Sequence, residues 1–295
     1  MDVTGILDTA GQQGLVLALV TMSVAISYRV LDFPDLTVDG SFALGGAVTA
    51  ALIAAWHKPL LATAVAVALG ATSGAVTGIL NTKMRISRIL AGILVMTMLY
   101  TVNLRIMGRP NIPLLAEKTL LSPFEQNNSP YHVTTIMFYF VLVLVVKFSL
   151  DLIFKTNFGL LLLSTGNNER STRAAGWSPE NLRIAGLSIS NGLTALSGSI
   201  LAQSFGFADI GMGVGIIVIG FASLLIGEAL LTPSTVSRLT TAAVLGSFLY
   251  QVIAAVGLRM GLAPTDLKLV TSLMVIVALS VQSFRKRDTR LEQGQ

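Results

Sequence analysis

Residues 31–46 read LDFPDLTVDGSFALGG. Three acids, Asp32, Asp35 and Asp39, and one proline, Pro34, stand between stretches that are otherwise nearly all apolar. An unpaired carboxylate at the centre of a bilayer costs about 2.5–3.5 kcal/mol even on insertion scales. Pro34 lacks a backbone donor and its ring clashes with the preceding turn, so a helix running through it must kink or stop. The segment is therefore either a polar loop at the membrane surface or a break that faces protein or water.

The rest of the chain makes the membrane the relevant solvent. Of its 295 residues 53% are hydrophobic and only 12% charged, with a mean hydropathy of +0.75. Soluble domains carry about twice that charge. Apolar runs long enough to span a bilayer recur over the whole length and leave no room for a sizeable soluble domain. The net charge of +5 is assigned to topology, not to nucleic acid, because the basic residues collect between spans. The absence of cysteine excludes disulfides, thiol chemistry and cysteine metal sites. No lysine or arginine precedes Arg29, so the N-terminus does not read as a cleaved signal peptide.

The expected fold is an all-α polytopic membrane protein with about nine helices, over 12–30, 40–56, 60–81, 88–107, 132–153, 183–205, 212–231, 236–257 and 266–284. Basic clusters fall at 83–88, at 155–183 and in the tail 285–295. With nine alternating spans all three lie on one side, which sets the N-terminus outside and the C-terminus inside. Residues 108–131, with four prolines, are then an irregular outer segment.

A shift of 174 residues lays FPDLTVDG (33–40) on FADIGMGV (207–214), matching Phe33 to Phe207, Asp35 to Asp209 and, beyond the window, Gly46 to Gly220. The same shift carries the first four expected helices onto the last four. The chain thus reads as one transmembrane domain of two inverted-topology repeats, about 12–107 and 183–284. Helix 132–153 connects them, followed by an inner loop over 154–183. Broken helices of such repeats meet near a substrate path.

Candidate path or gate residues are Asp32, Phe33, Asp35, Asp39, Gln203, Phe207 and Asp209; the acids would line a path, gate it, or cap a helix at the interface, with Thr37 or Asp39 as N-cap. Gly70, Gly74 and Gly78 form a small-residue face for close helix packing. Glu228 is expected to reach the inner interface and pair with a base such as Arg238. GMGVG (211–215) follows no strand and no GxxxxGK[ST] occurs, which argues against nucleotide binding, and no catalytic set emerges. In the inner loop, residues 167–176 favour a short helix, and Ser178-Pro179-Glu180 can start the next one.

TNFGLLLLSTGNNERSTRAAGWS (156–178), LSISNGLTALSGSILAQSFGFADIGMG (187–213) and LDFPDLTVDGSFALGGAVTAAL (31–52) together resemble the permease subunits of ATP-binding-cassette importers. The branch is that of branched-chain amino acid and ribose permeases. The form LDFPDLTVDGSF is most similar to an aromatic amino acid subgroup that works with lipoprotein-type binding proteins. The family frequently has a Gly-Gly pair where this chain reads Gly227-Glu228.

The resemblance implies a path for a small polar solute, an amino acid and by the subgroup an aromatic one. It implies a second permease copy in a homodimer, two cytoplasmic ATPase subunits and an extracytoplasmic binding protein, in a bacterial inner membrane. The chain itself would hold no cofactor; ATP and Mg would sit on the partner ATPase. Gly166, Asn167, Asn168, Glu169, Arg170, Arg173, Ala175, Gly176 and Trp177 would form the loop that docks on that ATPase. Sugar or nucleoside import by the same mechanism is the nearest alternative. On inverted repeats alone, a secondary transporter coupled to an ion gradient through its intramembrane acids also fits.

Overall fold

The computed structural model describes residues 3–276 except 116, 126–130, 262, 264 and 265, together with residue 280. The basic tail lies outside the described residues. The protein is a bundle of apolar helices. Seven of those described are long and apolar enough to cross a membrane, and an eighth, Ile216–Leu231, is shorter.

Helix α1 (Val3–Val24) widens into a π-helical turn over Ala25–Val30 and stops before the Asp-Pro segment. Thereafter α2 (Thr37–Trp56) and α3 (Pro59–Thr82) form a hairpin, followed by α4 (Arg88–Met107). A short strand β1 (Asn111–Pro113) and one turn of helix α5 (Ser122–Glu125) lead into α6 (Tyr131–Lys155). Two short helices come next, α7 (Asn157–Asn167) and α8 (Glu169–Ala174). The long α9 (Pro179–Phe205) ends in strand β2 (Phe207–Asp209), and α10 (Ile216–Leu231), α11 (Val236–Arg259) and the helical residues 266–276 (α12) follow.

The inner loop expected over 154–183 is thus largely helical. Asn168 ends α7 in an extended conformation and its side chain accepts the Arg170 N–H, so one asparagine closes one helix and caps the next. The short helix expected at 167–176 is confined to 169–174, and the next span begins at Pro179, not 183. The seventh span starts at Ile216 instead of 212, because Gly211, Gly213 and Gly215 lie in a run of turns.

Helices α1, α2 and α9 are the centre of the bundle. Every residue from Thr37 to Ala50 is buried. Small residues make this possible. A Cβ on Gly45 would strike the Ala195 carbonyl, one on Gly198 the Phe42 carbonyl, and one on Gly74 the Leu187 carbonyl. Gly70, Gly74 and Gly78 therefore seat α3 on α9 within the subunit, where close backbone approach replaces the hydrophobic drive that lipid removes.

The helices join hydroxyl to hydroxyl where they cross. Ser23 meets Ser190 and Thr194 at 2.8 and 2.7 Å, and Thr49 meets Ser199 at 2.7 Å. Such pairs and the close glycine contacts make the α2–α3–α9 seam tightly packed.

Candidate functional site

At one end of the bundle the chain between α1 and α2 is held from three sides. The π-turn releases its last donors late: Leu31 N–H reaches the Ile26 carbonyl and Phe33 N–H the Ser27 carbonyl. Asp32 then takes a left-handed φ of +50° with its side chain 72% exposed, and Arg88 grips both its carboxylate, at 2.9 Å, and its carbonyl. Phe33 packs fully inside the core. Asp35, 1% exposed, accepts the Thr37 N–H at 2.9 Å and the Asn191 amide at 2.6 Å. Asn191 in turn accepts Ser41 at 2.7 Å, and Ser41 meets Ser73 at 2.7 Å. Burial raises the Asp35 carboxyl above its ordinary value, against the hydrogen bonds from Thr37 and Asn191 that favour the anion.

The second break lies at the other end. Gly206 closes α9 with φ +71°, and β2 pairs antiparallel with β1, Asn111 opposite Asp209 and Pro113 opposite Phe207. Asp209 accepts the Gly211 N–H at 2.8 Å, so it serves its own turn. Phe207 is exposed and stacks on Phe205 with centroids 6.0 Å apart. Gln203 is buried; its amide nitrogen donates to Thr63 and its oxygen accepts the Leu120 N–H, both at 3.0 Å.

The repeated F-x-D motif therefore does not yield two equivalent acids. Asp35 is buried beside α9, whereas Asp209 is half-buried at its own turn. Asp39 makes the link between the breaks. Its two oxygens accept the Gly215 and Ile217 N–H groups, at 2.9 and 2.8 Å. These are orphan donors at the start of α10, so an acid of the first half caps a helix of the second. The expected N-cap of α2 by Thr37 or Asp39 is not formed. Leu36 occupies that position, and Asp35 supplies the acceptor.

The short helices α7 and α8 pack beneath the first break. A Cβ on Gly166 would collide with the Val30 carbonyl, so α7 lies directly on the last turn before the Asp-Pro segment. Glu169 pairs with Arg183, which also donates to Asn81 at 3.2 Å, and Arg173 pairs with Glu180. These links brace α8 against α9 and α3. Thr172 is the buried residue of α8, donating to Ser164 at 3.0 Å. Arg170, Arg173, Ala175, Gly176 and Trp177 face outward, Trp177 being 54% exposed, and Gly176 holds φ +82°. Asn167 lines a cleft beside Arg29 and Glu228.

Glu228 does not pair with Arg238, which bonds Ser234 instead. Arg29 takes Glu228 in a two-pronged pair at 2.6 and 2.5 Å, because the π-turn brings the end of α1 against the end of α10. Sequence reading also passed over Asp151, which pairs with Lys147 at 2.6 Å and accepts Ser237 and Thr240 from α11. The i,i+4 spacing of two opposite charges inside an apolar run was the available signal.

Residues 6–280 match the family model described as branched-chain amino acid transport system / permease component. The chain belongs to this permease family.

Among its relatives, the permease is 42% identical over 268 residues to the tyrosine transport system permease protein of Clostridioides difficile, covering 91% of this chain and 88% of that one. It is 35% identical over 281 residues to an uncharacterised protein of Rickettsia prowazekii, 93% and 97% of the two chains. The ribose import permease of Escherichia coli is more distant, 28% over 194 residues, 65% and 60%. No solved structure matches. The permease is thus a multi-pass inner-membrane component of an ATP-binding-cassette importer, a transport subunit that works with an ATPase and a binding protein and not a catalytic enzyme itself.

Proposed function

We propose that this permease forms the membrane path for an aromatic amino acid of the tyrosine class. In this reading it works as a homodimer with two ATPase subunits, which hold the ATP and Mg, and an extracytoplasmic protein delivers the solute. The observation that carries the reading is the 42% identity to a tyrosine permease, sustained over 91% of the chain. Sugar or nucleoside import draws less support, since the ribose permease is matched over only 65% of the chain.

The basic loops and the exposed face of α8 lie on the ATPase side, with the N-terminus outside and the C-terminus inside. Coupling then follows from contacts. Closure of the ATPases moves Trp177 and the exposed face of α8, and the Glu169–Arg183 pair carries that motion to α9. Gly166 presses it onto Val30, and through Asp35 and Asn191 it reaches α2 and α9 together. Asp39 passes it to α10. The acids in this scheme hold backbone in place, and two packed arrangements of these rigid elements would switch the path.

The test is uptake by the permease reconstituted with its ATPase and binding protein. ATP-dependent accumulation of labelled tyrosine, phenylalanine or tryptophan, competed by one another and not by ribose, is the expected result. Uptake of ribose or a nucleoside instead, or uptake without ATPase subunits, would overturn the reading.

A further inference from the structure

A cavity of about 400 Å³ opens beside the start of α10, between α1, α9, α11 and α12. We infer that it is a substrate subsite within a single permease chain, one that takes the apolar side chain of an amino acid and holds its carboxylate at Lys268. This inference rests on the amino acid reading given above.

The volume falls in the range of small-molecule sites, where a few polar groups interrupt mostly apolar walls. Leu17, Leu201, Ile216 and Ile219 supply such walls from three helices. A polyol lying there would leave hydroxyls without partners, at a cost of about 1–3 kcal/mol each. An aromatic or branched side chain loses nothing by the same contact.

The polar groups gather on one side. Tyr250 and Thr271 meet hydroxyl to hydroxyl at 2.6 Å, and the Gln251 amide donates to Gln13 at 3.5 Å. The oxygen of an amide is an acceptor, which the ammonium of a zwitterion requires. Lys268 is the one charged side chain lining the cavity among the described residues, and it is exposed. Asp39 lies near it but has both oxygens occupied by the α10 backbone. Those two hydrogen bonds leave Asp39 its charge, so an incoming carboxylate would share Lys268 with it, and no described acid lines the cavity wall itself.

The position suits a stage in transport. Gly215 lines the cavity and donates to Asp39, so the element that caps the second break also forms one wall of the pocket. Further along α10, Gly227 sits on the Ala242 carbonyl and Gly246 on the Ser223 carbonyl, so the α10–α11 seam is closed below the cavity. A solute entering from the β1–β2 end would rest there until α10 moves.

Lys268 and Ser272 are exposed, so their substitution leaves the packed bundle intact. Purified full-length permease would be tested for equilibrium binding of tritiated tyrosine, and the assembled transporter for its uptake. Lys268→Gln and Ser272→Trp should each weaken tyrosine binding about tenfold, the scale of one lost charge-assisted contact, with Lys268→Arg restoring it. Both variants should still co-purify with the ATPase. If the wild-type transporter carries no aromatic amino acid, the functional reading fails and this inference with it. If it does, and both variants bind and transport as wild type, the pocket alone is refuted. A phospholipid retained in the cavity by wild type and lost from Ser272→Trp, with tyrosine binding unchanged, would also assign the pocket away from the substrate.

Discussion

Asp39 on the first turn of α2 accepts the backbone N–H of Gly215, 176 residues later, at the point where the second break becomes α10. The two halves of the permease are therefore joined by a helix cap rather than only by apolar packing. A side-chain cap contributes about 0.5–2 kcal/mol. Asp39→Ala should lower the thermal midpoint of the detergent-purified permease by that order, and Asp39→Asn, which keeps one acceptor oxygen, by less. Equal midpoints for wild type and the alanine variant would remove the cap from the account.

Gly166 and Val30 bring α7 into close contact with the turn before the first break. Gly166→Ala must push α7 away from the last turn of the π-helix, whereas Gly176 meets nothing and resists a side chain only through its φ of +82°. Gly176→Ala should cost about 1–2 kcal/mol locally. The expected contrast is functional. Gly166→Ala lowers substrate uptake per ATP hydrolysed, and Gly176→Ala leaves that ratio close to wild type. Ratios that fall equally in the two variants would mean that the contact with Val30 transmits nothing.

Arg29 and Glu228 present a different case, since both lie toward the interior, with Glu228 only 10% exposed. Removing one partner leaves a charge without its counterion in a poorly solvated place, so singles should be worse than the sum of parts suggests. In a double-mutant cycle with Arg29→Met and Glu228→Gln, a coupling of about 0.5–3 kcal/mol is expected. The double variant should be more stable than at least one of the singles. Additive losses would show that the pair contributes only through packing.

Span positions were readable because hydropathy and length dominate in a bilayer, and most expected helices fall within a few residues of those observed. The breaks were readable for the same reason, as Pro34 and the glycines of 206–215 cannot continue a helix cheaply. Partners were not. A 174-residue shift matches Asp35 to Asp209, yet tertiary packing buries one against Asn191 and leaves the other in a turn. Asp39 looked like a cap for its own helix, because capping is local in sequence far more often than it is not. Its actual donors depend on how α10 crosses α2, and Glu228 chose Arg29 over Arg238 through the crossing of α1 and α10. Such crossings are set by small residues such as Gly213, against the Asp39 carbonyl, and Gly220, against Val24, whose spacing allows close approach without naming the neighbour.

Trp177 closes the exposed end of the α8 segment, 54% accessible and followed directly by the start of α9. In the proposed coupling arrangement this exposed aromatic would meet the ATPase, and aromatic anchors of this kind concentrate binding energy at interfaces. Trp177→Ala should therefore leave the thermal midpoint of the permease near wild type while weakening its association with the ATPase by about 2 kcal/mol or more. Pull-down of the purified ATPase on immobilised permease, titrated to a Kd, separates the two effects. A lowered midpoint with an unchanged Kd would place Trp177 in the fold and move the docking surface elsewhere on the basic end of the bundle.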